Sequence, residues 1–194
     1  MAVLPFTAAT LVAKAKSQKG YAEKSTNRTK YGLAYGWDGV SWCGIWIWWV
    51  FNACGFDIRT IGIKNAASTN HFDGEARRAG WKSVSVGKIR AGDVVFFDFG
   101  DLDGRGPDVA NDNDHVAIAT GGVSWGHLPT VEGNTSRGTS GSQANGGGVY
   151  ARTRSVGLVR HVYRPPYSTP AQVASTERKR AAALAKARKA AAAK

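Results

Sequence analysis

The stretch Gly39-Val40-Ser41-Trp42-Cys43-Gly44-Ile45-Trp46-Ile47-Trp48-Trp49-Val50-Phe51-Asn52-Ala53-Cys54-Gly55 decides how the rest of the chain is read. It opens on an Asp38-Gly39 turn and closes on Gly55, with about three turns of mostly apolar residues between. This pattern predicts a buried helix starting near Ser41, a good N-cap type. Trp42, Trp46, Trp49 and Ala53 fall at helical spacing on one face and read as core. Cys43 lies in the first turn, where unpaired backbone N–H groups and the helix dipole favour a thiolate, the reactive form of cysteine. A small buried hydrophobe is the bland alternative for a free cysteine, so a partner histidine has to decide.

The 194 residues suit one domain plus an appendage, and 43% apolar content is enough for a packed core. Two cysteines make no disulfide framework. On one helix they would stand roughly 16 Å apart, too far to bond. No stretch is apolar and long enough to span a membrane. The start, Met1 to Phe6, lacks a signal peptide's basic n-region and long apolar run, so the chain is expected in the cytoplasm of the cell that makes it. From Ser168 onward seven Lys/Arg face one acid, Glu177, which places +6 of the +12 net charge in the tail. Such a protein seeks polyanions, whether nucleic acid, an anionic membrane or an acidic wall, and composition does not choose among them.

In chain order, Thr7–Lys19 reads as an opening helix ended by Gly20. Tyr21–Asp38 reads as a polar loop, and Ser68–Arg78 as a helix closed by Gly80. Strands follow at Trp81–Val86, Asp93–Phe99, His115–Thr120, Pro129–Glu132, Gly148–Arg154 and Leu158–Tyr163. Helices first and strands after predict an α+β domain, its N-terminal helices packed on an antiparallel sheet of five to six strands. Pro165-Pro166 and Pro170 divide a catalytic-sized domain, 1–165, from a basic tail, 166–194. The tail is Ala-rich from Ser175 on. It lacks aliphatics enough for a core and reads as a solvated, part-time helix.

His115 opens one predicted strand, and Glu132 ends the next. Neighbouring antiparallel strands bring such positions together, and a carboxylate beside an imidazole fixes its tautomer and stabilises the imidazolium. The ring can then take the proton of Cys43 and later give it to a leaving amine. Spacing alone leaves a hydrogen-bonded structural histidine as the open alternative.

Ser41-Trp42-Cys43-Gly44 heading an aromatic helix is followed by Gly92-Asp93-Val94-Val95-Phe96-Phe97-Asp98 and Asp114-His115-Val116-Ala117-Ile118. Then come Val131-Glu132-Gly133-Asn134-Thr135-Ser136 and Gly148-Val149-Tyr150-Ala151-Arg152. Taken in register from about Thr7 to Tyr163, these motifs resemble those of CHAP domains, the cysteine, histidine-dependent amidohydrolases/peptidases. The segment Asn27-Arg28-Thr29-Lys30-Tyr31-Gly32 resembles bacteriophage members, the endolysins. The resemblance implies a papain-like/NlpC-like fold, with Cys43 as nucleophile, His115 as general base and Glu132 as its orienter. Asn134 matches a position that is polar in the family, and the resemblance offers it as the alternative support of His115. The Cys43 N–H would be one oxyanion donor, with the second unassigned. The implied substrate is bacterial peptidoglycan, cut as an N-acetylmuramoyl-L-alanine amidase or a stem or cross-link endopeptidase. The implied setting is a monomer held in the host bacterial cytoplasm until lysis.

Two features depart from the family. Phage members usually carry a separate wall-binding domain, and the basic tail would stand in for it by attraction to an anionic wall polymer or membrane, with a merely solubilising tail as the alternative. The loop Asp98–Asp114 carries Asp101, Asp103 and Asp108, with Asp112 beside them, as calcium-ligand candidates. The spacing is not that of an EF-hand, and calcium-binding relatives hold their ligands ahead of the cysteine; an exposed acidic loop is the alternative. No other cofactor is implied. Against the cysteine mechanism stands a zinc amidase, for which His71, His115, His127 and His161 supply ligand types without a short metal spacing. A non-catalytic basic wall- or nucleic-acid-binding protein, and a CHAP-like amidase acting on a small-molecule amide, complete the alternatives; no specific nucleic acid is expected.

Overall fold

A computed structural model describes residues 5–100, 113–138 and 142–192. Five α-helices, α1 (Ala8–Lys16), α2 (Lys30–Tyr35), α3 (Cys43–Ala53), α4 (Thr69–Arg78) and α5 (Pro170–Ala192), accompany six strands. These are β1 (Lys82–Ser83), β2 (Val94–Phe97), β3 (His115–Ala119), β4 (His127–Thr135), β5 (Gly148–Ser155) and β6 (Val159–Arg164). The strands form one sheet in the order β1-β6-β2-β3-β4-β5, and every pairing is antiparallel. The expected α+β class with an antiparallel sheet is what the chain adopts.

Alternation along the strands builds two cores. Val94, Phe96, Val116, Ile118, Val131 and Val149 pack with α1 and α3. Val95, Phe97, Ala117, Ala119 and Leu128 form a smaller cluster on the other face. Helix α3 is the centre of the larger core, and it differs from the one-stripe expectation. Trp42 and Trp46 are fully buried and Trp49 only partly, while Ile45, Ile47, Trp48, Val50 and Phe51 are buried too. Helices on one side and the sheet on the other leave it few solvent-facing positions, so its apolar residues run around the axis.

Local capping chemistry sets the other helices. Thr7 and Thr10 form a reciprocal capping box on α1, which ends at Lys16, earlier than expected. Ser68 caps α4 through the His71 N–H. Tyr21–Asp38 is not all loop: Thr29 caps the short helix α2, which stops at Gly36 in a left-handed conformation (φ 89°). The first strand shrinks to Lys82–Ser83 because Val86–Lys88 turns as a 3₁₀ helix. Strand β4 outruns its predicted end at Glu132, with a register shift between Glu132 and Thr135. The tail helix α5 starts at Pro170, five residues before the Ala-rich run, because Pro suits a first helical turn. The body reaches past Pro165: Tyr167 donates to the Gly92 carbonyl at 2.6 Å, and the Ser168 N–H donates to the Phe6 carbonyl. Among the described residues, no helix is long and apolar enough to cross a membrane.

Candidate active site

Ser41 does not cap α3. Trp42 occupies the N-cap position and its side chain makes no capping bond, while the Ser41 hydroxyl turns to Asn145 Oδ1 at 3.3 Å. Among the described residues, no side chain caps the first N–H groups of α3, and they sit where Cys43 opens the helix. Gly44 is required here by close approach. A Cβ on it would lie 1.9 Å from the Ala66 carbonyl oxygen, so the loop ahead of α4 presses on the first turn of α3.

His115 and Glu132 meet through strand register. Ile118 pairs with Val131, and one step from Val131 and three from Ile118 put Glu132 and His115 on the same face of adjacent strands. His115 Nε2 lies 3.1 Å from Glu132 Oε2, both side chains fully buried. The approach is close but off the hydrogen-bond line. Cys43 is a second polar neighbour of the ring. Cys43 is 3% exposed. It lines a cleft of about 280 Å³ with Ser41, Thr69, Asn70, Asn113 and Asp114. Thr69 donates its hydroxyl to the Asn113 carbonyl, and the Asn113 N–H donates to Asn70 Oδ1 at 2.8 Å. Helix α4 thereby pins the backbone two residues before His115.

The sequence reading missed Arg154. Its Nε donates to Glu132 Oε1 at 2.9 Å, its Nη2 to Oε2, and its guanidinium lies 5.0 Å over the Phe99 ring. Phe99 in turn stacks on His115 at 5.8 Å. The Thr130 hydroxyl donates to Oε1 at 2.6 Å. Glu132 is thus a buried anion between an imidazole and a guanidinium. Burial works against its charge, but His115 and Arg154 outweigh it and hold the carboxyl down to about 2. Burial likewise works against the imidazolium; Cys43 and Glu132 overcome it and raise His115 to about 9.

Asn134 is fully buried with φ 61°, a left-handed conformation Asn tolerates. Its Nδ2 donates to Asn145 Oδ1 at 3.1 Å and to the Ala144 carbonyl at 3.4 Å, so its amide nitrogen serves the 142–147 loop, while among the described residues no hydrogen bond joins its Oδ1 to the imidazole. Next to it, a Cβ on Gly133 would lie 2.6 Å from Trp46, which is how closely β4 meets α3.

The calcium candidates Asp101, Asp103 and Asp108 lie outside the described residues, as does Asp112. Among the described residues no group of three or more His, Cys, Asp or Glu side chains gathers in a metal-holding arrangement. His71 binds Ser68, His127 the Trp125 carbonyl and His161 Asp73, so these three are spread over separate local contacts. Cys43 and Cys54 are both free thiols.

The fold is shared with the wild-type endolysin LysIME-EF1, whose crystal structure superposes with a TM-score of 0.55 at 19% sequence identity. The match covers 84% of this chain and 66% of that one, so this chain spans just under two thirds of the endolysin's length. No protein-family profile matches the sequence, and no protein of curated function matches it. The chain therefore has an endolysin-like α+β fold.

Proposed function

We propose that this protein is a cysteine peptidoglycan hydrolase of the CHAP type that cuts an amide bond in the wall peptide and lyses bacteria. One observation carries the reading. A cysteine at the uncapped start of a buried helix shares a site with an imidazole, and that imidazole is backed by a buried carboxylate locked to Arg154. The endolysin-like fold supports peptidoglycan as substrate.

Nε2 of His115 faces Glu132, which leaves Nδ1 for the thiol. The proton of Cys43 moves to the ring, giving a thiolate and an imidazolium held by Glu132. The thiolate attacks the amide carbonyl, and the oxyanion is met by the Cys43 N–H. The imidazolium protonates the leaving amine as the C–N bond breaks, which leaves a thioester and a neutral ring. Water then gives a proton to the ring as it attacks the thioester, and the carboxylic acid leaves as the proton returns to sulfur. The cut bond is the muramoyl–L-alanine amide or a peptide bond of the stem or cross-link. The basic segment beyond Ser168 adds a hold on an anionic wall polymer or membrane. The protein would wait as a monomer in the host bacterial cytoplasm until it reaches the wall.

The test is digestion of purified peptidoglycan followed by mass spectrometry. A freed muramic acid carboxyl marks an amidase, and a new stem amine marks an endopeptidase. Cys43→Ala should abolish both without loss of fold; retained cleavage would end the cysteine mechanism, and a zinc chelator that stops cleavage would point to the metal chemistry instead.

A further inference from the structure

The Ser142–Gly147 loop leans over the start of α3 and is tied down at several points. The Gly146 N–H donates to the Asn134 carbonyl at 2.8 Å, and the Asn145 N–H donates to Ser142 Oγ at 2.8 Å. Ser136 N–H bonds the Ser142 carbonyl. Gly146 leaves no room for a side chain, since a Cβ there would lie 2.2 Å from the Ser136 nitrogen. Asn145 is nevertheless exposed, and its amide orientation is fixed from both sides. Its Oδ1 accepts from Ser41 Oγ at 3.3 Å and from Asn134 Nδ2 at 3.1 Å.

Two donors on Oδ1 commit the amide: Nδ2 must be the outward end, a pair of N–H donors presented to solvent. Ser41, one of the two clamps, lines the cleft two residues before Cys43. The other clamp, Asn134, is a buried residue in the left-handed region. Asn tolerates that conformation, and from it the Asn134 Nδ2 reaches both the Asn145 Oδ1 and the Ala144 carbonyl.

We propose that Asn145 is a substrate-binding residue, its Nδ2 donating to a carbonyl oxygen of the peptide that lies along the cleft rim toward Cys43. Asn134 and Ser41 act as positioning residues that aim it. A peptide backbone offers carbonyls at regular intervals, and a rigid amide donor at the rim reads one of them without regard to side chain. This rests on the hydrolase reading above and deepens it.

The experiment uses the full chain carrying Cys43→Ala and a stem-peptide muropeptide released from purified peptidoglycan by a muramidase. Asn145→Asp keeps the oxygen that accepts from Ser41 and Asn134 and removes the outward donor. In that background it should weaken muropeptide binding by about tenfold in calorimetric titration, the scale of one lost hydrogen bond, with an unchanged melting temperature. Asn145→Ala, which loses donor and clamp together, should weaken binding at least as much, and it replaces the Asp variant if that one fails to fold. In the active enzyme the loss should appear in KM, with the pH profile of kcat unmoved, since His115 is untouched. Binding altered less than threefold by both variants overturns the proposal. If the Cys43→Ala protein binds no muropeptide at all, the hydrolase reading fails first.

Discussion

Replacing Glu132 with Gln tests the electrostatics of the site directly. The change keeps the shape, and the amide oxygen can still accept from Arg154 and Thr130, but the negative charge 3.1 Å from His115 Nε2 is gone. In the wild type the imidazole is raised from 6.5 to about 9 although burial opposes it. At about 1.4 kcal/mol per pH unit, the net preference for imidazolium is on the order of 3 kcal/mol. A Coulomb estimate for unit charges 3.1 Å apart, at an effective dielectric of about 20, gives roughly 5 kcal/mol. Cys43 and Glu132 together outweigh burial, and without Glu132 only the Cys43 contact is left to oppose it. His115 should then titrate well below its wild-type value. The imidazolium that protonates the leaving amine becomes scarce, and kcat/KM should fall by at least about 10²-fold, toward the loss seen when a serine triad's carboxylate becomes an amide. The assay is kcat/KM on a soluble muropeptide from pH 5 to 10, with the folded fraction checked by circular dichroism. A folded Glu132→Gln protein within threefold of wild type, with the same alkaline limb, would refute the reasoning.

Arg154→Met removes one of the two cations around a buried carboxylate, and breaking such a pair costs about 3–5 kcal/mol; the urea midpoint should drop accordingly, and an unchanged midpoint would mean that the ion pair contributes nothing. Stability should also follow pH. The His115 contribution is fully present below about 6.5 and lost as pH rises through about 9, while that of Glu132 is present above about 4.5 and lost as pH falls through about 2. Thermal melts should therefore plateau between about pH 4.5 and 6.5, and His115→Gln should flatten the alkaline decline. Gly44→Ala drives a methyl to 1.9 Å from the backbone oxygen of Ala66; overpacking should cost about 1–3 kcal/mol and shift the cleft wall, seen as lost stability and activity together. Trp125 is 96% exposed with φ 50°, next to Gly126 at φ 72°; Trp125→Asn, the residue such a turn prefers, should add about 1 kcal/mol, read as a melting temperature higher by about 2–4 °C.

What the sequence made legible was local or periodic. The opening helix ended by Gly20, the Ser68–Arg78 helix closed by Gly80 and the Gly-bounded aromatic helix each rest on residues a few positions apart. His115 and Glu132 were legible as partners because adjacent antiparallel strands turn a distance along the chain into a neighbour relation. Arg154 was not legible, because along β5 the alternation carries no polarity contrast. Ala151 and Thr153 face out while Arg154 points in, so the residue that looks most like surface is the buried one. Ser41 misled for a related reason: its type suits an N-cap, but Asn145, more than a hundred residues away, takes its hydroxyl. The six residues of α2 escaped because so short a helix shows no period, although Thr29 and Gly36 mark its ends.

The arrangement around Glu132 also explains why an arginine stands behind the carboxylate. A lone carboxylate at full burial would gain a proton and become a donor, unable to stabilise the imidazolium it faces. Thr130 and Arg154 hold it ionised at the pH values where a thiol must be activated. A guanidinium suits that place better than an ammonium, since its planar fork meets both oxygens and its face lies over Phe99. Arg154→Lys should therefore behave as a partial loss. It keeps the cation but surrenders the second contact and the ring, so its stability should fall between wild type and Arg154→Met. An Arg154→Lys protein as stable as wild type would show that charge alone, and not the fork, keeps Glu132 ionised.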